Sequence, residues 1–328
     1  MKINVPDYFL NFRCIADKCH DSCCIGWEID IDSKAEAKYR ALDTPIGKEI
    51  CEKTSHGYFP LTKDGRCAFL DKTGLCRIIS TLGEGYLCDI CREHPRYYGV
   101  GNGCIEGGLG LGCEEAARII LSLKELPELV YTERDIPYCD KDEFSDISEY
   151  FRENLYSGIF TLDIHNLIGK YIEFAKIADD VAFEACTSEN AVQIPKLTYT
   201  GAEKKQIKAL LTDMLSLLRE CEALYDGWQS LIDRAANVDI SNILHREGCI
   251  RSMLYYFTHR YVREGVADIS LGKRILFALG STLTIAALAN IICDNNSEIK
   301  AAVTYSKNVE YSTDNTDFIL ENIDFCKL

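Results

Sequence analysis

The chain lacks several signatures that would assign a function at once. It has no GxSxG, HExxH or P-loop pattern, so the usual motifs of serine hydrolases, zinc proteases and phosphate-binding NTPases are absent. Its opening residues, MKINVPDYFLNFRC, contain no apolar leader core and no small-residue cleavage site. Prolines are few, at 7 in 328 residues, and no internal repeat is present. We therefore expect a globular cytoplasmic protein of one to three domains.

Cysteine is unusually abundant instead. Seventeen are present, eleven of them within residues 1–113. A disulfide framework requires an oxidising compartment, and the total is odd, so metal ligation is the better interpretation. The other six stand singly, as buried small hydrophobic residues do: Cys139, Cys186, Cys221, Cys249, Cys293 and Cys326.

Nine of the N-terminal cysteines form a spaced pattern and are the candidate metal ligands: Cys14, Cys19, Cys23, Cys24, Cys67, Cys76, Cys88, Cys91 and Cys113. Thiolates are soft ligands that select iron–sulfur clusters, zinc or Cu(I). A cubane cluster or a structural zinc takes four of them. Nine thiols therefore exceed one site, which leaves open one centre with additional cysteines or two centres.

The spacing favours an iron–sulfur cluster, with 4Fe–4S as the expected form and zinc as the alternative. Cys88 and Cys91 have the spacing of half a zinc knuckle, but no matching second half follows. The adjacent pair Cys23–Cys24 suits a bulky cluster or two neighbouring sites, because neighbouring side chains point in different directions. The radical S-adenosylmethionine signature CxxxCxxC is absent, since Gly26 stands at its third position.

Glycines accompany the candidate ligands. Gly65 and Gly74 each precede a cysteine by two residues, where a turn would direct the thiol back toward a shared centre. The glycine-rich run at residues 99–112 is not surrounded by a repeating strand–helix pattern, so a dinucleotide-binding domain is not expected. We expect this run to be a loop that wraps the centre.

From Glu114 onward the apolar spacing predicts helices, at residues 144–157, 163–184, 203–224, 228–237, 241–264 and 272–293. The apolar stretch 276–293 carries Ser, Thr and Asn, so a buried helix is expected rather than a membrane span. The predicted fold class is mostly α: an irregular cysteine-rich metal-binding region over residues 1–120, followed by a helical domain over residues 121–328.

The charge is uneven along the chain. Residues 1–113 carry 14 Lys and Arg against 16 Asp and Glu, whereas residues 114–328 carry 22 against 35. An acidic C-terminal part argues against binding to nucleic acid, whose phosphates require Lys and Arg. It suits a basic partner such as a lysine-bearing surface, and equally a solvated acidic surface.

The cysteine segments resemble the flagellin lysine-N-methylase family, within the broader group of proteins with a putative zinc- or iron-chelating domain. The similar segments are FRCIADKCHDSCCIGWEIDID (residues 12–32), GRCAFLDKTGLCRI (65–78), GEGYLCDICREHPR (83–96) and CEEAAR (113–118). LYYFTHRYV (254–262) resembles the aromatic–arginine helix of that family, and SKNVEYSTDN (306–315) resembles its tail. The chain departs from the family in having Glu114 where proline is commoner and Tyr311 where histidine is expected.

This resemblance implies an iron–sulfur protein that transfers methyl groups from S-adenosylmethionine to lysine side chains of flagellin or a similar surface protein. Two other classes of function stay open. One is a non-catalytic metal-chelating or redox-sensing protein with a helical partner-binding domain. The other is a structural zinc module on a helical interaction protein.

Overall fold

The computed structural model describes residues 1–101, 104–137, 146–187, 199–224, 226–263 and 271–324. Within these ranges the chain is mostly α, as predicted, and the helices are α1 (Tyr8–Asn11), α2 (Ser33–Arg40), α3 (Pro45–Lys53), α4 (Arg77–Leu82), α5 (Asp89–Glu93), α6 (Glu114–Leu121), α7 (Asp146–Tyr156), α8 (Ile164–Thr187), α9 (Lys204–Glu220), α10 (Trp228–Ala235), α11 (Ile240–Leu244), α12 (Glu247–Tyr261), α13 (Leu271–Ile291), α14 (Ser297–Val309) and α15 (Thr313–Asn322). The strands in the same ranges are β1 (Lys2–Pro6), β2 (Ile29–Asp30), β3 (Tyr58–Phe59), β4 (Arg96–Gly101), β5 (Cys104–Leu109) and β6 (Leu129–Glu133).

Four strands form one sheet in the order β4-β5-β1-β6. Strand β1 pairs parallel to β5 and antiparallel to β6. Its branched residues Ile3 and Val5 are fully buried, as suits a strand that packs one face on a core. The parallel pairing brings the start of the chain beside a segment about a hundred residues later.

The expectation of a loop over residues 99–112 is wrong for most of its length. Strands β4 and β5 pair antiparallel, from Arg96 opposite Leu109 to Gly101 opposite Cys104. Gly108 fits this hairpin because a Cβ there would lie only 2.3 Å from the Tyr97 hydroxyl. Glycine is therefore needed in these strands because they pack closely on tyrosine rings. The sequence pattern alone does not reveal this packing.

Helix α13 lies at the centre of the large hydrophobic core. It is apolar on nearly all faces and packs against α8, α12 and α14. In the described part of the chain it is the one helix long and apolar enough to cross a membrane, and 89% of its most apolar stretch is buried inside the protein. The same core includes the sheet residues Ile3 and Leu109.

The helix predicted over residues 241–264 is divided in the structure. It forms α11 and α12, with His245 as the C-cap of the first helix and Arg246 as the N-cap of the second. Residue 264 lies outside the described residues. Helices α14 and α15 follow α13 and were not predicted from the spacing of apolar residues.

A second, smaller hydrophobic core lies within residues 29–91. It contains Tyr39, Ile50, Phe59 and Phe69, with Cys67 and Cys88 buried among them. Asp32 begins α2 by accepting a hydrogen bond from the Ala35 N–H at 2.9 Å. We call residues 24–91, which surround this core, the cysteine module.

The cysteine module lies between two segments of the large core. Phe12 precedes it in sequence and Tyr97 follows it, and both belong to the large core. The Arg96 guanidinium lies 5.2 Å from the ring centroid of Phe12 and 5.4 Å from that of Phe9. The chain therefore leaves the large core and returns to it at nearly the same place. The predicted domain division at residue 120 stays a prediction.

Candidate metal centre

All nine candidate cysteines lie in the described part of the chain, and all are free thiols. Cys88 and Cys113 are the residues that precede α5 and α6, and Cys76 precedes α4. Cys19 follows a short 3₁₀ turn at Ala16–Lys18. The electrostatic neighbours of these thiols place them in two overlapping sets, which Cys23 and Cys91 connect.

The module set consists of Cys24, Cys67, Cys76, Cys88 and Cys91. The thiols of Cys24, Cys76 and Cys88 are close enough to Cys67 for their charges to act on it. Cys91 is similarly close to Cys88, Cys24 and Cys23. All five belong to the small hydrophobic core or pack against it.

Backbone contacts place the module set. The Cys67 N–H donates to the Cys24 carbonyl at 2.8 Å, which fixes these two segments side by side. Gly65 and Gly74 adopt φ angles of 68° and 85°, so the turns predicted before Cys67 and Cys76 are present. The sequence therefore predicted correctly how the backbone reverses at both thiols.

Burial shapes the acidity of the module thiols. It raises the pKa of Cys67 to about 11 and also raises that of Cys76. Cys88 and Cys91 share a hydrogen bond, which lowers the pKa of Cys88 and raises that of Cys91. A bound cation would oppose these increases, because it stabilises thiolates that burial otherwise keeps protonated.

The junction set consists of Cys14, Cys19, Cys23 and Cys113. Cys23 lies within electrostatic range of Cys14 and Cys113, and Cys19 lies within range of Cys113. Burial raises the pKa of Cys19 to about 12 and that of Cys113 to about 11. Cys113 packs against the large core, so this set lies where the cysteine loop meets the helices.

Cys23 and Cys24 connect the two sets. Their side chains share a hydrogen bond, which raises the pKa of Cys23 and lowers that of Cys24 to about 7. Cys14 and Cys113 lie within electrostatic range of Cys23, and Cys67 and Cys76 lie within range of Cys24. Cys91 lies within range of both, so the adjacent pair joins the two sets.

Glu114, the first residue of α6, holds the loop between Cys19 and Cys23. Its Oε2 accepts hydrogen bonds from the backbone N–H of His20 at 2.6 Å and of Asp21 at 3.2 Å. The same oxygen lies 3.6 Å from the Cys19 sulfur, which donates to it. Burial acts to raise the pKa of Glu114, but the hydrogen bonds from His20 and Asp21 bring it below the ordinary value.

Helix α14 holds the same loop from the other side. The ammonium of Lys307 is buried, forms an ion pair with Asp21 and donates to the Ser22 carbonyl at 3.3 Å. Lys307 also acts to lower the pKa of Cys24. No local sequence pattern indicates this contact, because 285 residues separate Lys307 from Ser22.

Three rings form a wall beside the junction set. The Trp27 and Tyr311 ring centroids are 4.8 Å apart, and the ring of His94 lies 6.2 Å from Trp27 and 6.3 Å from Tyr311. The Trp27 Nε1 donates to the Cys23 carbonyl at 2.7 Å. Burial raises the pKa of Tyr311, and the nearby Cys23 and Cys113 raise it further.

Two polar atoms in this wall have no hydrogen-bond partner among the described residues. They are the hydroxyl oxygen of Tyr311 and Nε2 of His94, and both are buried. Burial lowers the pKa of His94 to about 4, so its ring is neutral at physiological pH. Gly112 makes room for Tyr311, because a Cβ at residue 112 would lie 2.3 Å from the hydroxyl.

A buried ionic network supports the wall from the helical side. Glu310 precedes Tyr311, and its Oε1 accepts from the hydroxyls of Tyr256 at 2.7 Å and Tyr261 at 2.8 Å. Arg260 forms an ion pair with the same oxygen at 3.1 Å and lies 4.5 Å from the centroid of Tyr97. The aromatic–arginine segment noted in the sequence therefore joins α12 to both β4 and the end of α14.

The thiols have the ligand type of a soft-metal centre. Among the described residues, however, no three His, Cys, Asp or Glu side chains meet in a group that could hold a metal ion. The case for a metal centre therefore rests on the chemistry of the residues. Soft thiols from distant segments lie beside buried polar atoms that have no hydrogen-bond partner among the described residues. The assignment of the nine cysteines as ligands stays a prediction.

The remaining cysteines lie elsewhere. Cys221 and Cys249 are buried, as predicted, whereas Cys293 is exposed and contradicts the expectation of burial. Cys139 and Cys326 fall outside the described residues, as does the side chain of Cys186.

Part of the chain is similar to three curated Salmonella proteins, each 30% identical over 130 residues that make up 37% of this chain. Two are the lysine-N-methylases of Salmonella choleraesuis (strain SC-B67) and Salmonella typhimurium (strain LT2), and the match covers 32% of each. The third is the flagellar biosynthetic protein FliU of Salmonella muenchen, of which 77% is covered. The chain thus spans about a third of the length of the two lysine-N-methylases that it matches.

No family model matches the chain, and no solved structure matches it. The match covers more than two thirds of the length of FliU at 30% identity, and this coverage shows the family. This chain belongs to the protein family of FliU and the lysine-N-methylases.

Proposed function

We propose that this protein is an iron–sulfur-containing lysine N-methyltransferase. It would transfer methyl groups from S-adenosylmethionine to lysine side chains of flagellin or a similar surface protein. The observation that carries this proposal is the 30% identity to two proteins named lysine-N-methylase and to a flagellar biosynthetic protein. The proposal extends the activity named for those proteins to this chain.

The reaction is a displacement at carbon. The lone pair of a neutral lysine ε-nitrogen attacks the sulfonium methyl, a C–N bond forms as the S–C bond breaks, and S-adenosylhomocysteine leaves. The methylated ammonium then releases one proton to solvent. The lysine must lose its first proton before attack, which an apolar or aromatic surrounding favours by lowering the lysine pKa.

The charge of the chain suits such a substrate. Residues 114–328 carry 22 Lys and Arg against 35 Asp and Glu, so this part has a strong negative excess. An acidic surface attracts lysine-rich segments and disfavours nucleic acid. We therefore propose a protein partner, no nucleic-acid partner, no membrane insertion and a cytoplasmic location.

The nine candidate cysteines would hold the iron–sulfur centre. They come from four separate segments between Cys14 and Cys113, and the structure brings their thiols into neighbouring sets. A thiolate-bound cluster supplies folding energy by joining such segments, and its potential depends on burial and hydrogen bonds to sulfur. The Trp27 and Glu114 contacts described above would fix the orientation of the loop that carries Cys19 and Cys23.

Methyl transfer can be measured directly. The anaerobically purified protein is incubated with flagellin and methyl-labelled S-adenosylmethionine, and modified lysines are located by mass spectrometry. We expect label on lysine side chains, together with S-adenosylmethionine binding by calorimetry. Flagellin with acetylated lysines is the control. Absence of both label and donor binding, in protein with an intact metal content, would refute the methyltransferase proposal.

A second candidate is a non-catalytic metal-chelating or redox-sensing protein with a helical partner-binding part. The observation that favours it is the pair of hydrogen-bonded thiol couples, Cys23 with Cys24 and Cys88 with Cys91, in which one thiol is acidified by the other. Reversible loss of the metal on mild oxidation, without any donor binding, would select this candidate. A colourless protein with stoichiometric zinc would instead select a structural zinc module.

A further inference from the structure

We propose that the exposed edge of the four-stranded sheet binds a second copy of this chain. Strand β6 is the last strand in the order β4-β5-β1-β6, so one side of it has no neighbouring strand among the described residues. The two copies would pair antiparallel through β6 about a twofold axis, which joins their sheets into one continuous sheet. This assembly would not depend on the proposed methyl transfer.

The hydrogen bonds between β1 and β6 show which backbone groups of β6 point toward the free edge. Beyond one end of β6, the Arg134 N–H donates to the Met1 carbonyl at 2.9 Å. Beyond the other end, the Asp7 N–H donates to the Glu128 carbonyl at 2.8 Å. In an antiparallel pair, every second residue of a strand bonds to the neighbouring strand. The even-numbered residues of this segment therefore bond to β1.

The backbone groups that point away from β1 belong to the odd-numbered residues of β6, which are Leu129, Tyr131 and Glu133. Their side chains are exposed as well, with Leu129 at 39% and Tyr131 at 59%. Protein edge strands are often protected by lysine or proline, because unpaired backbone groups attract other strands. Residues 129–133 contain neither lysine nor proline, so this edge lacks both of these protective features.

Pairing about a twofold axis through Tyr131 is self-complementary. The two copies of Tyr131 would lie opposite each other, and Leu129 of each copy would lie opposite Glu133 of the other. All of these residues have outward N–H and carbonyl groups, so each facing pair can exchange two hydrogen bonds. A register shifted by one residue would instead place outward groups of one copy opposite residues that bond to β1 in the other.

Charge complementarity favours a second copy as the occupant of this edge. In the same register Glu128 lies opposite Arg134 of the second copy, and the twofold axis repeats this pair at the other end of the strands. The Arg134 side chain stays 31% exposed although it forms an ion pair with Glu93. Opposite charges directly across two strands stabilise their pairing. No two like charges lie opposite each other over residues 128–134.

The first test is the oligomeric state of the unmodified protein, purified anaerobically. Sedimentation over about a hundredfold range of concentration should show a reversible monomer–dimer equilibrium. Tyr131→Pro removes an outward N–H but no bond to β1, so it should raise the dimer dissociation constant at least about tenfold. Tyr131→Thr also removes the ring but retains the N–H, and it should weaken the dimer less. A protein that is monomeric throughout, or a dimer unaffected by Tyr131→Pro, would overturn the proposal.

The second test examines the register through charge. Glu128→Arg would place like charges opposite each other at both ends of the paired strands, so it should weaken the dimer. Glu125→Arg is the matched control, because it changes the net charge equally but lies outside β6 and its facing charge pair. Equal weakening by the two variants would contradict the proposed register.

Hydrogen exchange of backbone amides tests the edge in the unmodified protein, so the result does not depend on how a variant folds. The amides of Leu129, Tyr131 and Glu133 should become slow only at concentrations at which the dimer forms. Those of Val130 and Thr132, which bond to β1, should be slow at every concentration. Slow exchange of the odd-numbered amides in the monomer would mean that another segment of the same chain covers the edge. Slow exchange only after addition of flagellin would mean that a substrate strand covers it, and either result would overturn the proposal.

Discussion

The carboxylate of Glu114 binds the backbone of His20 at 2.6 Å, although 94 residues separate them in sequence. This contact joins the start of α6 to the loop that carries Cys19 and Cys23. Its position next to Cys113 means that one helix start both contributes a candidate ligand and fixes the segment that carries two others.

We predict that Glu114→Gln lowers the free energy of unfolding by about 1–3 kcal/mol, because it weakens hydrogen bonds to two backbone donors. The folded-state pKa of Glu114 is depressed, so its contribution is present above the ordinary carboxyl pKa and is lost as pH falls through the lower folded-state value. Urea unfolding at pH 7 and in the acid range measures this. Glu115→Gln is the control, since Arg118 donates to both carboxylates but the His20 and Asp21 N–H groups donate to Glu114. Equal effects of both variants would contradict the role of Glu114.

Gly112→Ala tests the packing of Tyr311. The new Cβ would lie 2.3 Å from the hydroxyl, so we expect a loss of about 1–3 kcal/mol in the free energy of unfolding. Tyr311→Phe removes that oxygen and should recover part of the loss in the double variant. Gly248→Ala is the control, because a Cβ there meets nothing within 4 Å. Strictly additive effects of Gly112→Ala and Tyr311→Phe would show that the two residues do not interact.

Arg260→Met should destabilise the protein strongly, by about 3–5 kcal/mol, because it leaves the buried carboxylate of Glu310 without its cation. The double variant Arg260→Met with Glu310→Leu should cost less than Arg260→Met alone. Urea unfolding of all three proteins completes the cycle. The exposed pair Arg219–Asp233 is the matched control, and its disruption should cost under about 1 kcal/mol. A double variant less stable than the Arg260 variant would refute the ionic role.

His259 gives a pH prediction. Burial lowers its pKa to about 4, from an ordinary value of 6.5. The unfolded chain therefore binds a proton before the folded protein does, and stability should fall as pH decreases from about 6.5 toward 4. His259→Gln should reduce this slope, as measured by urea unfolding at several pH values. An unchanged slope in the His259→Gln variant would contradict this prediction.

Much of the helical part could be predicted because its apolar spacing is regular. The ends of helices α9 and α13 lie one to four residues from their predicted positions. The sheet could not be predicted, since four of the twelve residues of β4 and β5 are glycine and these strands depend on packing against Tyr97 and Tyr98. This packing depends on how the strands are arranged in the folded protein, and no local sequence pattern indicates it.

For the candidate site, the sequence supplied the residue types and the turns, but not the grouping. The nine cysteines and the glycines before Cys67 and Cys76 were visible as a pattern. Which thiols become neighbours depends on how distant segments pack, which spacing does not encode. Lys307 could not be assigned to the site for the same reason, because 285 residues separate it from Ser22.

The contact between Arg96 and Phe12 makes the cysteine module an insertion within a host fold. The two ends of the module leave the large core side by side. The module can therefore unfold while β1 and β4 stay in the four-stranded sheet. The module can then open as a cooperative unit of its own while the helices remain folded. In such an arrangement, opening of the module would be a local event that leaves the surface of the helices intact.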